Sequence, residues 1–394
     1  MHADTIAAVA TPPGRGGVGI VRVSGPRVTA IAAALLGALP APRHAQFTSF
    51  RDHHGAAVDS GLALYFPAPH SFTGEDVLEL HGHGGPLVLD MVIAATLHAG
   101  ARLARPGEFS ERAFLNGKID LVQAEAIADL IDSASHDAAR AALRSLDGDF
   151  SRQIHAIVDG VTDLRVFIEA SIDFADEGIE FAPPRRLLDQ LDQALHACRA
   201  LRASAAQGVV LRDGLTVVIA GQPNAGKSSL LNALTQSDTA IVTDIPGTTR
   251  DVLKHTIVID GLPMHIIDTA GLRDTQDVIE QQGVERARRE MSRADRILLV
   301  IDDRYPEVAQ LAHLTGALPD GVPRSLVRNK IDLTQRAPGE TRAADGTPVI
   351  AVSALTGDGL TALRDHLKKC AGYVSSGEGT FSARRRHLDA LTRA

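Results

Sequence analysis

The feature that most constrains this chain is the junction between an apolar run, Leu215, Val217, Val218, Ile219 and Ala220, and the octapeptide Gly221-Gln222-Pro223-Asn224-Ala225-Gly226-Lys227-Ser228. Glycines at both ends free the backbone to wrap a phosphate chain with its N–H groups. Lys227 can reach β- and γ-phosphates, and Ser228 can offer a hydroxyl to Mg²⁺ at a helix N-terminus. Leu230, Leu231 and Leu234 follow at helical spacing. A strand before and an amphipathic helix after is the context such a loop requires, so residues 221–228 read as a P-loop rather than a Gly-rich turn. Asn224, Ala225, Gly226, Lys227, Ser228 and Ser229 are its candidate phosphate contacts.

Three downstream stretches narrow the ligand. Met264-His265-Ile266-Ile267 feeds Asp268-Thr269-Ala270-Gly271, which sets a carboxylate at a strand end for the Mg²⁺ shell and a glycine N–H near a γ-phosphate. Leu298–Ile301 and Ser325–Val327 read as buried strands, the second running into Asn329-Lys330-Ile331-Asp332. Asp332 can accept from both N1–H and the 2-amino group of guanine, a pair adenine does not offer. The stem of Lys330 can lie along the base and Asn329 can brace the loop. Val349–Val352 ends in Ser353-Ala354-Leu355, where a backbone N–H can meet guanine O6. Asn-Lys-x-Asp alone is a weak signal; in this order after a P-loop the set specifies GTP.

At 394 residues the chain exceeds one ordinary domain, and two or three are expected. No apolar run approaches bilayer length, and Met1-His2-Ala3-Asp4 lacks a basic region followed by an apolar stretch. A cytoplasmic protein with no membrane partner is the expectation. Cys198 and Cys370 fit no metal or redox spacing and read as reduced and structural. A net charge of −8 argues against nucleic-acid binding by bulk attraction, so any RNA contact must be local.

Before the P-loop the chain has two textures. Residues 1–118 mix strands and helices: Ile6–Val9, Gly19–Val23, Leu62–Phe66 and Asp76–Leu80 read as strands bounded by Gly and Pro. Pro12-Pro13-Gly14-Arg15-Gly16-Gly17 reads as a tight turn, because no Lys-Ser/Thr follows. His81-Gly82-His83-Gly84-Gly85 reads as a loop beside a cleft rather than a metal pair. From Ile119 the pattern is helical. Leu143, Leu146, Phe150, Ile154, Ile157, Val161, Leu164 and Ile168, then Leu188, Leu191, Leu195 and Cys198, mark apolar seams of long packed helices, broken at Pro183-Pro184. After Tyr373 a Gly/Ser connector leads to a short helix carrying Arg384-Arg385-Arg386. It is too short to stand alone and is expected to pack back on the helical segment. A solvated face is favoured for that triplet over a tRNA phosphate contact.

Thr11–Ile20, Ser71-Phe72-Thr73-Gly74-Glu75-Asp76, Arg105–Phe114, Asp244-Ile245-Pro246-Gly247-Thr248-Thr249-Arg250-Asp251, the guanine motifs and Ala383–His387 together resemble the MnmE (TrmE) family of bacterial tRNA modification GTPases along the whole chain. The resemblance implies a multidomain α/β plus all-α fold. An N-terminal α+β domain over residues 1–118 would bind a 5-formyl- or methylene-tetrahydrofolate and form a homodimer. A central helical domain over 119–211 would be interrupted by a Ras-like P-loop GTPase domain over 212–373 and resumed at 374–394. Arg22, Glu79 and Lys118 match folate-contacting positions, though each could be a surface charge on the sequence alone. With the flavoprotein MnmG, in a heterotetramer or larger, the family installs an aminomethyl or carboxymethylaminomethyl group on the wobble uridine of certain tRNAs. The folate supplies the one-carbon unit.

The resemblance also assigns the hydrolytic parts. Thr243, Asp244, Ile245, Pro246, Gly247, Thr248 and Thr249 join Asp268, Thr269, Ala270 and Gly271 around the nucleotide, with Thr249 beside Ser228 on Mg²⁺. Leu272 follows Gly271 where Ras-like enzymes place a water-orienting Gln, so another group must hold the water. Asn224 with carbonyls of Thr243, Ile245 and Thr248 matches a K⁺ site completed when two G domains meet, and Glu280 matches the water-orienting acid. On sequence alone Glu280 reads as a solvated helix-face residue. The family continues into further helices and a terminal Cys-Ile-Gly-Lys motif that this sequence does not contain, so the expectation is either a truncated form or fragment or a version that cannot complete the modification, with GTP binding kept. The competing reading is a ribosome-assembly or RNA-binding GTPase switch. Such proteins carry a KH-type domain after the G domain, for which residues 374–394 leave no room.

Overall fold

The computed structural model describes residues 4–173, 184–235, 254–268, 291–315, 319, 321–374 and 379–394. They form two compact units, Met1–Glu125 and Ala126–Ala394, each described by itself.

The first unit is built on a six-stranded sheet in the order β3-β4-β5-β2-β1-β6. Its strands are β1 (Ile6–Val9), β2 (Gly16–Ser24), β3 (Gln46–Arg51), β4 (Ala57–Phe66), β5 (Val77–Gly84) and β6 (Arg102–Leu103). All pairings are antiparallel except β1 with β6. In β2 the buried Val21 and Val23 alternate with Ile20 and Arg22, the period of a strand with one face on a core. That core is closed by α1 (Val28–Leu36), which buries Val28, Ile31, Ala32 and Leu35 at helical spacing, and by α2 (Pro86–His98), which buries Leu89, Val92 and Ala95. The short α3 (Glu108–Leu115) follows β6.

His81-Gly82-His83-Gly84 is strand, not the expected loop. Its glycines serve close approach rather than turning: a Cβ on Gly82 would lie 2.2 Å from Asp59 Oδ2, and one on Gly84 2.6 Å from the Gly16 carbonyl. His83 Nδ1 lies 2.7 Å from Asp59 Oδ1, and His81 Nε2 3.1 Å from Glu79 Oε2.

After α4 (Leu121–Ile131), the second unit joins helices to a seven-stranded sheet. The helices are α5 (His136–Leu146), α6 (Asp149–Asp173) and α7 (Pro184–Asp213). The single apolar period read across residues 143–168 is broken at Gly148, whose φ of +82° turns α5 into α6. The seam is also less covered than its spacing predicts. Phe150 and Leu164 are buried, whereas Leu143, Val161, Ile168, Leu188, Leu191 and Leu195 are exposed among the described residues. The buried part of α7 is its second half, with Leu201, Ala205, Val209 and Leu211.

The sheet runs β12-β13-β11-β10-β7-β9-β8. Its members are β7 (Leu215–Gly221), β8 (Lys254–Ile259), β9 (Leu262–Asp268), β10 (Arg296–Asp302), β11 (Arg324–Asn329), β12 (Gly339–Arg342) and β13 (Pro348–Ala351). Parallel pairing links β13, β11, β10, β7 and β9, with β12 and β8 antiparallel at the edges. Because β7 leads to β8 and β9 on one side and β10 lies on the other, the strand order reverses at β7, where doubly wound sheets bind ligands. Helices α8 (Lys227–Thr235), α9 (Glu307–Thr315) and α10 (Leu360–Ala371) complete this α/β part.

Residues 379–394, ending in α11 (Arg385–Arg393), return to the helices as expected. Ser382 donates its amide to the Ala141 carbonyl at 2.9 Å, Phe381 packs on Phe150 at 4.9 Å between centroids with the rings tilted by 49°, and a Cβ on Gly208 would sit 2.1 Å from the Phe381 carbonyl oxygen. The α/β part is therefore inserted between helical segments. Among the described residues no helix is long and apolar enough to cross a membrane.

Candidate nucleotide-binding site

β7 delivers the P-loop at the strand-order reversal, and α8 begins at Lys227. The loop's two glycines are fixed by crowding. A Cβ on Gly221 would lie 2.3 Å from the Val300 carbonyl oxygen, and one on Gly226, at φ +92°, 2.2 Å from Asn329 Nδ2. Asn224 adopts φ +66°, a left-handed conformation that Asn tolerates better than most residues. Lys227 is buried with its ammonium donating to the Gly221 and Gln222 carbonyls at 3.1 and 3.0 Å. Ser228 and Ser229 are exposed in the first turn of α8.

The guanine motifs close on this loop. Asn329, buried at the end of β11, donates from Nδ2 to the Ala225 carbonyl at 3.0 Å, while its Oδ1 accepts from the amides of Lys330 (2.9 Å) and Ala354 (3.0 Å). One side chain thus ties three loops together, as the sequence expected of a brace. The Ala354 amide, one of those expected to meet guanine O6, is held by Asn329. The buried Ser353 donates to Asp332 Oδ1 at 2.6 Å, orienting a half-buried carboxylate, and Leu355 is exposed. Lys330, at φ +67°, reaches the Asn224 carbonyl at 2.7 Å and Asp302 Oδ2 at 2.8 Å.

Sequence reasoning missed Asp302 and Asp303, although an acidic pair directly after the apolar run of β10 was a visible signal. Hydrogen bonds from Arg304, then from Lys330, hold the Asp302 carboxyl well below the usual range against the effect of burial. Burial pushes Asp303 upward, but donors from Arg336, Thr334 and Arg328 outweigh it and the net shift is downward.

Asp268 ends β9 opposite Ile219, which sets its backbone at the strand ends beside the P-loop. Thr243, Asp244, Ile245, Pro246, Gly247, Thr248, Thr249, Thr269, Ala270, Gly271 and Glu280 lie outside the described residues.

In the first unit Arg22 and Glu79 are register partners across β2 and β5, and Arg22 Nε donates to Glu79 Oε1 at 2.8 Å. The Arg22 guanidinium lies over the rings of both Phe72 and Phe109, at 5.7 and 5.8 Å from their centroids. Lys118 is exposed and donates to the Pro69 carbonyl at 3.0 Å, so it meets the same 69–75 loop without touching the Arg22–Glu79 pair. That loop is anchored by the fully buried Arg112, which bonds Glu75 Oε2 at 3.1 Å, Glu108 Oε1 at 3.2 Å and Asp4 Oδ1 at 2.9 Å. In the arginine triplet, Arg384 pairs with Asp129 at 3.1 Å and Arg385 with Asp213 at 3.5 Å. Cys198 and Cys370 are free and half-buried, and no cluster of three metal-ligating side chains occurs among the described residues.

The family described as GTP-binding protein TrmE N-terminus matches residues 5–118, and the MnmE helical domain family matches residues 121–394. The tRNA modification GTPase MnmE of Stutzerimonas stutzeri is 57% identical over 392 residues, covering 98% of this chain and 86% of that protein. Its counterpart from Alkalilimnicola ehrlichii is 58% identical over 394 residues, covering 100% and 88%. A solved structure of the G domain of the T. maritima FeoB iron transporter is 27% identical over 40% of this chain and 98% of its own, at a TM-score of 0.29. The fold assignment rests instead on the strand order. With two family matches that run through almost all of the sequence and relatives more than half identical across nearly their full length, this chain belongs to the MnmE (TrmE) family.

Proposed function

We propose that this chain is a GTP-hydrolysing, tRNA-modifying enzyme. The observation that carries the reading is that Asn329 bonds the Ala225 carbonyl of the P-loop while Ser353 orients Asp332, three residues after Asn329, because this arrangement fits a guanine pocket joined to a phosphate loop. The names of relatives more than half identical supply the tRNA link. Asp332 accepts from N1–H and the 2-amino group, and Lys227 leaves the Gly221 and Gln222 carbonyls for the β- and γ-phosphates. Ser228, with Thr249 and Asp268, fits the hard-oxygen demand of Mg²⁺. Ser228 is exposed on the first turn of α8, so its side chain is open to a cation. Mg²⁺ supplies charge neutralisation between the phosphates when bound.

The finer parts are also proposals. Asn224 is exposed, and its backbone is held from behind by Lys330, which fits a side-chain oxygen offered to K⁺ together with Thr243, Ile245 and Thr248. Glu280 orients the attacking water, and two G domains meet to complete the site. Arg22, Glu79 and Lys118 border a tetrahydrofolate site. The aromatic rings flanking Arg22 support it, since a flat heterocycle stacks on the same surfaces. The chain works as a homodimer with the flavoprotein MnmG on the wobble uridine of tRNA, in the cytoplasm, through domains spanning residues 1–118, 119–211, 212–373 and 374–394.

The decisive experiment exchanges base chemistry. Asp332→Asn replaces an acceptor with an amide that can donate to the 2-carbonyl of xanthine, so binding should move from GDP to xanthosine diphosphate while ADP stays unbound in both proteins. Retained GDP preference in the variant would remove Asp332 from the base site. GTP turnover should be faster in K⁺ than in Na⁺, and equal rates would remove the cation role of Asn224.

A further inference from the structure

We propose that Asp302 is a positioning residue for guanine-nucleotide binding: it holds the Lys330 ammonium against the Asn224 carbonyl, so that the base loop and the P-loop close as one unit. The proposal rests on the nucleotide reading above and adds a residue from neither motif.

Its basis is register and charge. Asp302 is the last residue of β10 and pairs with Asn329 in the parallel ladder. Its carboxylate therefore stands beside the residue after Asn329, which is Lys330. The side chain is 7% exposed, and Lys330 Nζ lies 2.8 Å from Oδ2. The same ammonium donates to the Asn224 carbonyl at 2.7 Å. Lys330 and Asn224 have φ of +67° and +66°, so two non-glycine residues in an unfavourable conformation are joined through one charged group that Asp302 neutralises.

Asp302 is itself held. Gln310 Oε1 accepts from its amide at 2.9 Å, and Gln310 Nε2 donates to its carbonyl at 2.9 Å. The Gln310 carbonyl accepts from Gln222 Nε2 in the P-loop at 3.3 Å. A closed ring, Gln222, Gln310, Asp302, Lys330 and Asn224, thus grips the P-loop at two points. Arg304 also pairs with Asp302, at 2.8 Å, but its side chain is 42% exposed and water can replace the carboxylate there. For Lys330, losing the anion leaves an ammonium facing one neutral carbonyl, free to swing off the base.

The test uses the full chain and the release rate of fluorescently labelled GDP, with thermal unfolding recorded in parallel. Asp302→Asn should speed release about tenfold, a typical coupling for groups in one hydrogen-bonded network. Lys330→Met should also speed it, and the double variant should release no faster than Lys330→Met alone. Asp302→Glu, which keeps the charge, should recover most of the wild-type rate. Release unchanged in Asp302→Asn, or additive acceleration in the double variant, would overturn the proposal. Should Asp302→Asn not fold, Arg304→Ala decides. Release within about twofold of wild type supports the Lys330 role, and a tenfold acceleration hands the carboxylate to Arg304 and overturns it. A wild-type chain that binds no GDP sinks the nucleotide reading itself, an outcome distinct from each of these.

Discussion

Gly226 shows how a single position can shape the proposed nucleotide site through the side chain it lacks. At φ +92° it lets the loop turn, and its missing side chain leaves the space that Asn329 Nδ2 occupies on its way to the Ala225 carbonyl. Gly226→Ala brings a methyl to 2.2 Å from that nitrogen, so the amide must move and the buried carbonyl loses its donor. An unsatisfied buried group costs about 1–3 kcal/mol, roughly 5- to 150-fold in affinity. Thermal unfolding of nucleotide-free Gly226→Ala should show part of that cost as lost stability, and GDP titration calorimetry should show a loss of affinity within that range. Wild-type affinity would mean that Asn329 does not brace the loop. Gly226 was legible in the sequence because the octapeptide spacing assigns it a role. Asp302 was not, since its importance depends on which residue faces it across β10 and β11, and register is a property of paired strands rather than of either one.

The helices and strands divide in the same way. Apolar runs placed β7, β9, β10, β11 and β13, because strands buried in a parallel sheet are apolar on both faces. The edge strands β3 and β12, carrying Gln46-Phe47-Thr48-Ser49 and Gly339-Glu340-Thr341-Arg342, lack that signature and passed unread. In β5 the His-Gly alternation looked like a loop because glycine is ambiguous between turning and close packing, and only the neighbouring strand resolves it. Spacing found the helices of residues 143–198 but not how much of each seam is covered, since periodicity reports a face and not its partner. Two glycines in these helices separate the cases. Gly208→Ala in α7 drives a methyl to 2.1 Å from the Phe381 carbonyl oxygen and should destabilise the second unit by about 1–3 kcal/mol, as overpacking does. Gly160→Ala in α6 meets nothing within 4 Å and should stabilise it by up to about 1 kcal/mol through helix propensity. Urea unfolding followed by circular dichroism reads both signs. A neutral Gly208→Ala would mean that residues 380–383 are not held against α7.

For the whole molecule, two compact units make a single unfolding free energy a poor descriptor, and two different variables should act on them. In the first unit, the hydrogen bond from Arg102 and those from the Arg105 amide and Arg112 outweigh burial and depress Glu108 far below its ordinary value of 4.5. A carboxyl with a depressed folded pKa contributes stability that is fully present above its unfolded value and is lost as pH falls from about 4.5 toward the folded one. Asp302 and Asp303 are depressed too, so acid should weaken the second unit as well. Nucleotide is the variable that distinguishes the units. GDP at a hundredfold excess over its dissociation constant adds about 2.7 kcal/mol to whatever folds its site, and every residue proposed for that site belongs to the unit of residues 126–394. Amide exchange near pH 4, corrected for intrinsic rates, should therefore show GDP restoring protection in β7, β10 and β11 while β2, β5 and α3 stay as labile as without it. Glu108→Gln should lower protection of β2, β5 and α3 at pH 7 and flatten its dependence on pH below 4.5, because the ion pair that titrates is gone. Nucleotide protecting both units alike would show that the first unit's stability depends on the occupied G domain, and the chain would then have to be treated as one cooperative body.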